Sequence, residues 1–307
     1  MNIFLVLTLA ASSVITAVFG NITHLPDALV SASVGALQSE KQSAYDTLAL
    51  KHAAQPINTG QAILQINPTA AYAFDTATGQ ELYSKNADEL RPIASITKLA
   101  AAMVIIRNHP LDKVVTIPVL PQYSPEEVTI GLQPGQKFTI KSLLAAALIP
   151  SANDAADALA IIDSGSIEAF VKKMNTIPVS WGISAVHFTN ASGLDENNQA
   201  SARAVGHIAA LILQNNDIAE LVARPTAAIN DTAGKVYSLA STNALLPARR
   251  FTGVKTGYTP AAGQCFVGRV TIEGHSVITV VLGSTDRFGE SDKLANWIEQ
   301  NYTWVQL

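Results

Sequence analysis

Ser95 and Lys98 stand three residues apart at the start of an apolar run, in the segment RPIASITKLAAAMVII (residues 91–106). Residues 99–106 are apolar at every position, which is typical of a helix buried on all sides. Pro92 is typical of a helix start, so the spacing of three puts the hydroxyl and the amine on one face. Burial lowers the pKa of a lysine because it disfavours the charged form. The pair therefore predicts a hydroxyl nucleophile beside a lysine that acts as a base near neutral pH.

A second motif lies in the segment LIPSANDAADALA, where Ser151 and Asn153 occupy a short loop between two predicted helices. Either Asn153 or Asp154 is suited to cap the second helix. Another S-x-N triplet occurs at residues 241–243. We favour the triplet at residues 151–153 because a short loop between helices holds polar groups rigidly.

The third motif is GVKTGYT, which places Lys255, Thr256 and Gly257 near the end of a predicted strand. A lysine at a strand edge attracts a substrate carboxylate, and the threonine hydroxyl can hydrogen-bond it. The glycine has no side chain, so a peptide backbone can lie close to the strand. The motif therefore indicates a binding site for a peptide with a free carboxylate.

Together the motifs S-x-x-K, S-x-N and K-T-G resemble those of the low-molecular-mass penicillin-binding proteins, the serine-type D-alanyl-D-alanine carboxypeptidases and endopeptidases of peptidoglycan. The segments HFTNASGLDENNQASARAV and GVKTGYTPAAGQCFVG are also similar to that family, so the resemblance extends over residues 62–302. The chain has Ala152 where many relatives have glycine, a small change within the loop. The resemblance implies a β-lactamase-like fold and a carboxypeptidase that forms an acyl-enzyme.

The resemblance also implies the role of each catalytic residue. Ser95 would be the acylated nucleophile and Lys98 its general base, while Ser151 and Asn153 would relay a proton and orient the substrate. The family places Lys255 close to the base, where like-charge repulsion would lower the pKa of Lys98 further.

For substrate binding, the resemblance implies that Lys255 and Thr256 hold the terminal carboxylate of D-Ala-D-Ala beside Gly257. The oxyanion hole would consist of the backbone N–H groups of Ser95 and Tyr258. No metal or other cofactor is implied. The expected partners are peptidoglycan stem peptides and, as covalent inhibitors, β-lactam antibiotics.

Three other functions stay open. A D,D-endopeptidase would cut peptidoglycan cross-links with the same residues. A class A β-lactamase would need a glutamate from an E-x-x-L-N segment, and the chain contains no Leu-Asn dipeptide, so we expect penicillin to be an inhibitor. A non-catalytic peptidoglycan-binding module would have no need of the nucleophile and the base.

The elements that must position these motifs follow from the hydrophobic pattern. The segments AILQI (62–66), AAYAFDT and QELYSKN predict strands, and residues 107–222 read as mostly helical. Three further strands, in RRFTGVKTG, GQCFVGRVTI and HSVITVVLG, precede a helix at about residues 290–302. The fold class is therefore α/β (α+β), with an antiparallel sheet built from N- and C-terminal segments, flanked by helices and carrying an inserted helical region.

Composition bounds the rest of the interpretation. The chain has 307 residues, of which 48% are hydrophobic, and a net charge of −4 without a basic stripe, which argues against a nucleic-acid partner. Its single cysteine excludes an internal disulfide. Residues 1–20 carry no charge and predict a cleaved signal peptide or an uncleaved membrane anchor, residues 21–60 a spacer, and residues 61–307 the catalytic domain. We expect an exported protein of the cell envelope, periplasmic or extracellular.

Overall fold

The computed structural model describes residues 53–60, 62–246 and 250–306. The signal or anchor predicted at residues 1–20 and most of the predicted spacer lie outside these residues. Within the described residues, no helix is long and apolar enough to cross a membrane.

The described part of the chain contains both strands and helices. The strands are β1 (Gln55–Asn58), β2 (Ala70–Asp75), β3 (Glu81–Lys85), β4 (Arg91–Pro92), β5 (Val114–Thr116), β6 (Lys137–Thr139), β7 (Val186–His187), β8 (Gln199–Ala200), β9 (Thr226–Asn230), β10 (Val236–Ala240), β11 (Phe251–Thr259), β12 (Gly263–Ile272), β13 (His275–Ser284) and β14 (Tyr302–Val305). The helices are α1 (Thr97–Asn108), α2 (Ile140–Leu148), α3 (Asn153–Ser164), α4 (Ile167–Ser180), α5 (Ala202–Ile212), α6 (Asn216–Val222) and α7 (Arg287–Asn301).

The main sheet has five antiparallel strands in the order β11-β12-β13-β2-β3. It joins two strands from early in the described chain to three from its end, which confirms the prediction of one sheet assembled from distant segments. Gly79 adopts a φ of 72° in the turn between β2 and β3, and Gly274 adopts 84° between β12 and β13. Glycine suits both turns, because it adopts a positive φ without strain.

Both faces of the sheet are covered. Tyr72 and Phe74 of β2 pack into a core shared with α1, α2, α3 and α5, whereas Ala73 between them packs into a second core with α7. Every residue of β2 is therefore buried, as expected for a strand with helices on both faces. Cys265 of β12 is fully buried in the first core, and burial raises the pKa of its thiol to about 11.

The region predicted as mostly helical contains a long non-helical segment. Residues 117–136 connect β5 to β6, which pair as a two-stranded sheet, and this connection contains no helix. Pro118, Pro121, Pro125 and Pro134 lie in this segment, and each removes a backbone donor that a helix would need. The helical prediction was wrong there. The hairpin formed by β9 and β10 lies beyond the region predicted as helical, and we identified no signal for it in the sequence.

Two predictions near the start of the domain also need correction. Residues 62–66 form no strand, because their backbone bonds to side chains: Trp297 donates to the Ala62 carbonyl and Lys85 to the Ile66 carbonyl. Strand β1 lies inside the predicted spacer and pairs with β14, so the compact unit begins at Ala54 and not at residue 61. The terminal helix ends at Asn301 because β14 follows it.

Candidate active site

Ser95 lies in a 3₁₀ turn, Ala94–Ile96, that leads directly into α1. Every residue from Thr97 to Ile105 is buried, as the apolar run predicts. Two glycines pack against this turn without space for a side chain. A Cβ on Gly193 would lie 2.1 Å from the Ala94 carbonyl oxygen, and one on Gly257 would lie 2.7 Å from the Ile93 carbonyl oxygen. The backbone that carries Ser95 is therefore held by two other segments of the chain.

The amine of Lys98 is the centre of a compact polar cluster. Its Nζ lies 3.0 Å from Oγ of Ser95, 2.7 Å from Oδ1 of Asn153 and 2.7 Å from the carbonyl oxygen of Ser192. The lysine itself is 1% exposed. The structure thus brings the first two predicted motifs together around one nitrogen atom.

The protonation state of Lys98 is set mainly by burial. Desolvation lowers the pKa of Lys98 to about 7, and the negative charges of Asp157 and Asp154 oppose this shift. A neutral amine has two N–H donors and one lone pair. The Ser192 carbonyl and the Asn153 carboxamide oxygen accept the two N–H groups, so the lone pair is left to accept the Ser95 hydroxyl proton.

Asn153, the first residue of α3, contacts the amine of Lys98, and Ser151 lies two residues before it. Ser151 has a φ of 71°, and its hydroxyl is buried without a hydrogen-bond partner among the described residues. Asn153 does not cap α3, because its side-chain oxygen is bonded to Lys98; residue Ala152 occupies the cap position without a side-chain bond. The capping prediction was therefore wrong for Asn153.

Asp154 lies in the first turn of α3, where its carboxylate accepts the backbone N–H of Ala155. The carboxylate also accepts hydrogen bonds from the backbone N–H groups of Ile130 and Leu132, while the N–H of Asn153 bonds the Val128 carbonyl. These contacts attach the long segment 117–136 to the start of α3. The segment that the sequence analysis misread thus supports the S-x-N loop.

Lys255 is buried in β11 and donates from Nζ to the Thr256 carbonyl oxygen at 2.9 Å. Burial lowers the pKa of Lys255 well below its usual value, and repulsion from Lys98 and Arg287 adds to the shift. The expected proximity of the two lysines is present. The repulsion between them lowers the pKa of Lys255, whereas the low pKa of Lys98 comes from burial.

The remaining residues of the third motif form an edge. Thr256 bonds the Thr242 hydroxyl at 2.5 Å, and Arg287 donates from Nη1 to the Gly257 carbonyl oxygen at 3.0 Å. Tyr258 is 63% exposed. Since β11 is the outermost strand of its sheet, one side of its backbone has no strand partner among the described residues.

Several residues of the cluster were missed by sequence reasoning. Ser192 contributes a backbone carbonyl, which no side-chain pattern reveals. Its loop is organised by Asn198, whose carboxamide oxygen accepts from the N–H groups of Thr189 and Asn190. The segment FTNASGLDENN, which carries these residues, was the available signal. Asp157 of α3 and Arg287 were missed as well.

The arrangement suits acyl transfer. It places a hydroxyl beside a buried amine, a second cation nearby and an open strand edge along which a peptide can lie. Among the described residues, no group of three or more His, Cys, Asp or Glu side chains is placed to hold a metal ion.

Known proteins are similar to this chain in sequence and in fold. The profile of a family described as D-alanyl-D-alanine carboxypeptidase matches residues 53–286. A D-alanyl-D-alanine endopeptidase of Pseudomonas aeruginosa is 32% identical over 241 residues, which are 75% of this chain and 76% of the relative. A D-alanyl-D-alanine carboxypeptidase of Streptomyces strain K15 is 31% identical over 255 residues, covering 76% of this chain and 87% of the relative.

Solved structures agree with these matches. The crystal structure of the Streptomyces K15 DD-transpeptidase has a TM-score of 0.70 and 29% identity, covering 78% of this chain and 99% of that chain. Penicillin-binding protein D2 from Listeria monocytogenes, in its cefotaxime-bound form, has a TM-score of 0.68 and 28% identity, covering 78% and 100%. These neighbours confirm the predicted β-lactamase-like fold.

Proposed function

Because this chain belongs to the D-alanyl-D-alanine carboxypeptidase family, we propose that Ser95, Lys98 and Ser151 are the catalytic residues of its peptidase reaction. The protein is a low-molecular-mass penicillin-binding protein, a serine-type D-Ala-D-Ala carboxypeptidase. The observation that carries the assignment is the buried amine of Lys98, which lies 3.0 Å from Oγ of Ser95 with its two other bonding positions occupied. We further propose that the substrate is held by Asn153, Lys255, Thr256, Gly257 and Tyr258.

Acylation begins when neutral Lys98 accepts the proton of the Ser95 hydroxyl. Oγ then attacks the carbonyl carbon of the penultimate D-alanine, and the carbonyl oxygen becomes an oxyanion. The backbone N–H groups of Ser95 and Tyr258 stabilise that oxyanion, and losing one such donor typically costs about 3 kcal/mol. The C–N bond breaks, and the departing D-alanine nitrogen receives a proton from Lys98 through the Ser151 hydroxyl.

The relay role of Ser151 is supported by its buried hydroxyl, which has no competing hydrogen-bond partner among the described residues. Deacylation runs in the opposite direction. A water molecule gives a proton to Lys98 and attacks the ester carbonyl, the C–O bond to Ser95 breaks, and Oγ regains its proton. The products are the shortened stem peptide and free D-alanine.

The third motif provides recognition of the leaving residue. The terminal carboxylate of the stem peptide binds the buried amine of Lys255 and the hydroxyl of Thr256. The peptide lies along the outer edge of β11. Gly257 lets this strand lie close to the turn that carries Ser95, so the bound peptide is held beside the nucleophile. Lys255 has the donors for this role, since its amine makes one hydrogen bond within the described residues.

A second candidate activity is D,D-endopeptidase cleavage of cross-links. It is favoured by two relatives, from Pseudomonas aeruginosa and Escherichia coli, which are both D-alanyl-D-alanine endopeptidases. The chemistry at Ser95 is the same, and the difference lies in whether the group beyond the scissile bond is a free D-alanine or a cross-linked side chain. Purified muropeptide monomers and cross-linked dimers, assayed side by side, distinguish the two.

The relatives act on the cell wall, so the protein works in the cell envelope. We propose export across the cytoplasmic membrane through residues 1–20, as a cleaved signal or an uncleaved anchor, and peptidoglycan stem peptides as the substrate. Sequencing the N-terminus of the protein recovered from an envelope fraction separates the two forms.

The first experiment is intact-mass spectrometry of the exported chain after exposure to penicillin, beside a Ser95→Ala variant. We expect a stable adduct with the mass of the intact antibiotic on the native protein alone. Rapid hydrolysis of penicillin would indicate a β-lactamase. No adduct, with the antibiotic intact, would indicate a non-catalytic wall-binding module.

A further inference from the structure

Asp157 is a buried carboxylate that the mechanism above does not use. It lies in the first half of α3, is 6% exposed, and accepts a hydrogen bond from the Tyr123 hydroxyl at 3.0 Å. Tyr123 belongs to the long segment 117–136 that bonds to the start of the same helix. An isolated buried carboxylate is costly, so its retention beside this site calls for a reason.

The position of Asp157 on the helix directs it toward the catalytic amine. It follows Asn153 by four residues, so the two side chains lie on one face of α3, one turn apart. Asn153 contacts Nζ of Lys98 at 2.7 Å. Asp157 makes no ion pair with Lys98 among the described residues, so its effect on the amine is a field effect and not a contact.

The charged groups around this pair are few. Lys98 experiences the negative charges of Asp157 and Asp154, and Lys255 lies close enough for the two lysines to repel. Asp157 in turn experiences Lys98, Asp154, Glu127 and the Tyr123 hydroxyl. The carboxylate of Asp154 already accepts three backbone N–H groups, those of Ile130, Leu132 and Ala155, which fixes its position.

We propose that Asp157, held by the Tyr123 hydroxyl, is a positioning residue that sets the proton affinity of Lys98. The ionised carboxylate stabilises the ammonium form of the lysine, and loss of its charge favours the neutral, reactive amine. The proposal rests on the role of Lys98 as the base. It adds that a group outside the three motifs governs the pH range in which the base is active.

The charge state of Asp157 is itself sensitive to pH. Burial raises the pKa of Asp157 to about 6, while the Tyr123 hydrogen bond and Lys98 act against this shift. Asp157 is therefore ionised at pH 7 and loses its charge on acidification. As the pH falls through about 6, Asp157 becomes protonated and no longer stabilises the ammonium form of Lys98. A larger fraction of Lys98 is then neutral than if Asp157 stayed ionised.

The decisive variant is Asp157→Asn, which keeps the shape and the acceptor for Tyr123 but removes the charge. The rate of Ser95 acylation by penicillin is measured from pH 5 to 9, with adduct formation followed by mass. On the acidic side of the profile the rate falls as Lys98 becomes protonated, and we call this fall the acid limb. We expect the acid limb to move about one pH unit lower. The rate at pH 6, as a fraction of the plateau, then rises about three- to fivefold.

Tyr123→Phe tests the same pair while keeping the carboxylate. Loss of the hydroxyl raises the pKa of Asp157, so part of its charge is lost at neutral pH, and we expect a shift in the same direction but smaller. In the double variant the acid limb should coincide with that of Asp157→Asn. A shift that adds to the Asp157→Asn shift would show that Tyr123 acts independently, and would overturn the pairing.

Asp163→Asn is the matched control. Asp163 is another carboxylate on α3, with a side chain 1% exposed, and it bonds to Lys173 and His109 away from the catalytic amine. Its acid limb should match that of the native protein. An unmoved limb in folded Asp157→Asn protein overturns the proposal.

The outcomes for the two proposals are separable. Absence of the adduct in the native protein would overturn the role of Ser95 and Lys98, whereas an adduct with unmoved acid limbs would overturn only the role of Asp157. Thermal unfolding of each variant monitors its fold. If Asp157→Asn does not fold, the limb of Tyr123→Phe decides, and an unchanged limb there rejects the proposal.

Discussion

The two halves of the active site differ in how many of their hydrogen bonds are already made. On the helical half, the amine of Lys98 has all its bonding positions occupied by Ser95, Asn153 and Ser192. On the strand half, the amine of Lys255 makes one bond among the described residues, to the adjacent Thr256 carbonyl. The half that we propose to move protons therefore has its hydrogen bonds made before substrate arrives, and the half that we propose to bind substrate keeps free donors. Preorganisation of the first and openness of the second suit their separate tasks.

The largest effect is expected from breaking the helical half with Lys98→Met. The variant removes the base and leaves the Asn153 and Ser192 oxygens without their donor. We expect kcat/KM for a stem peptide to fall about 10²- to 10⁴-fold, the usual contribution of a general base. Lys173→Met, at a half-exposed lysine that pairs with Asp163, is the control and should keep native kinetics. Comparable losses in both variants would contradict the assignment.

A smaller loss of kcat/KM, one that depends on the terminal carboxylate of the substrate, is expected from changing the strand half with Lys255→Met. The variant removes a charge-assisted bond to the substrate carboxylate, worth about 1.5–3 kcal/mol, so kcat/KM should fall roughly 10- to 150-fold. A peptide amide, which lacks the terminal carboxylate, should lose much less on the same substitution. Equal losses for the peptide acid and the peptide amide would show that Lys255 does not bind the carboxylate.

Gly257→Ala tests the contact between the halves. The new methyl group would lie 2.7 Å from the Ile93 carbonyl oxygen, so β11 and the turn that carries Ser95 must move apart. We expect a stability loss of about 1–3 kcal/mol in denaturant unfolding and about a tenfold loss of activity. Native activity in a destabilised protein would mean that the spacing between strand and turn does not matter for catalysis.

The smallest effect is expected at Tyr258→Ala. The side chain is largely exposed, and the proposed contribution of this residue is its backbone N–H, which the substitution keeps. Activity on stem peptides should stay within about threefold of native, as is usual for a surface position. A much larger loss would assign the tyrosine ring a role in binding, and would make the strand half less dependent on its backbone than we propose.

The three motifs could be found from the sequence because their chemistry resides in side chains at fixed spacings. The burial of Lys98 was predictable for the same reason, since the apolar run of α1 shows it. Residues that act through the backbone, such as Ser192, leave no such pattern. Asp157 and Tyr123 meet only because segment 117–136 folds back on α3, which a one-dimensional pattern does not encode.

The fold was predictable where strands alternate with clear turn residues and unpredictable where pairing is distant. β2, β3 and the last three strands of the main sheet followed from their hydrophobic patterns. β1 was missed because its partner, β14, lies at the other end of the described chain. AILQI was misread as a strand because an apolar run does not reveal that its backbone is bonded to side chains.

The distant pairing of the main sheet also determines when the protein can fold. Asp75 of β2 lies opposite Val277 of β13, so the central strand pair closes only after nearly the whole domain has been synthesised. Contacts of such long range slow folding, because the entropy of closing the intervening chain is lost before the pairing contributes stability. Strand β2 therefore cannot pair with β13 until the end of the domain has been synthesised. A chain that remains unfolded until its last strands are available is well suited to passing through a membrane before it folds.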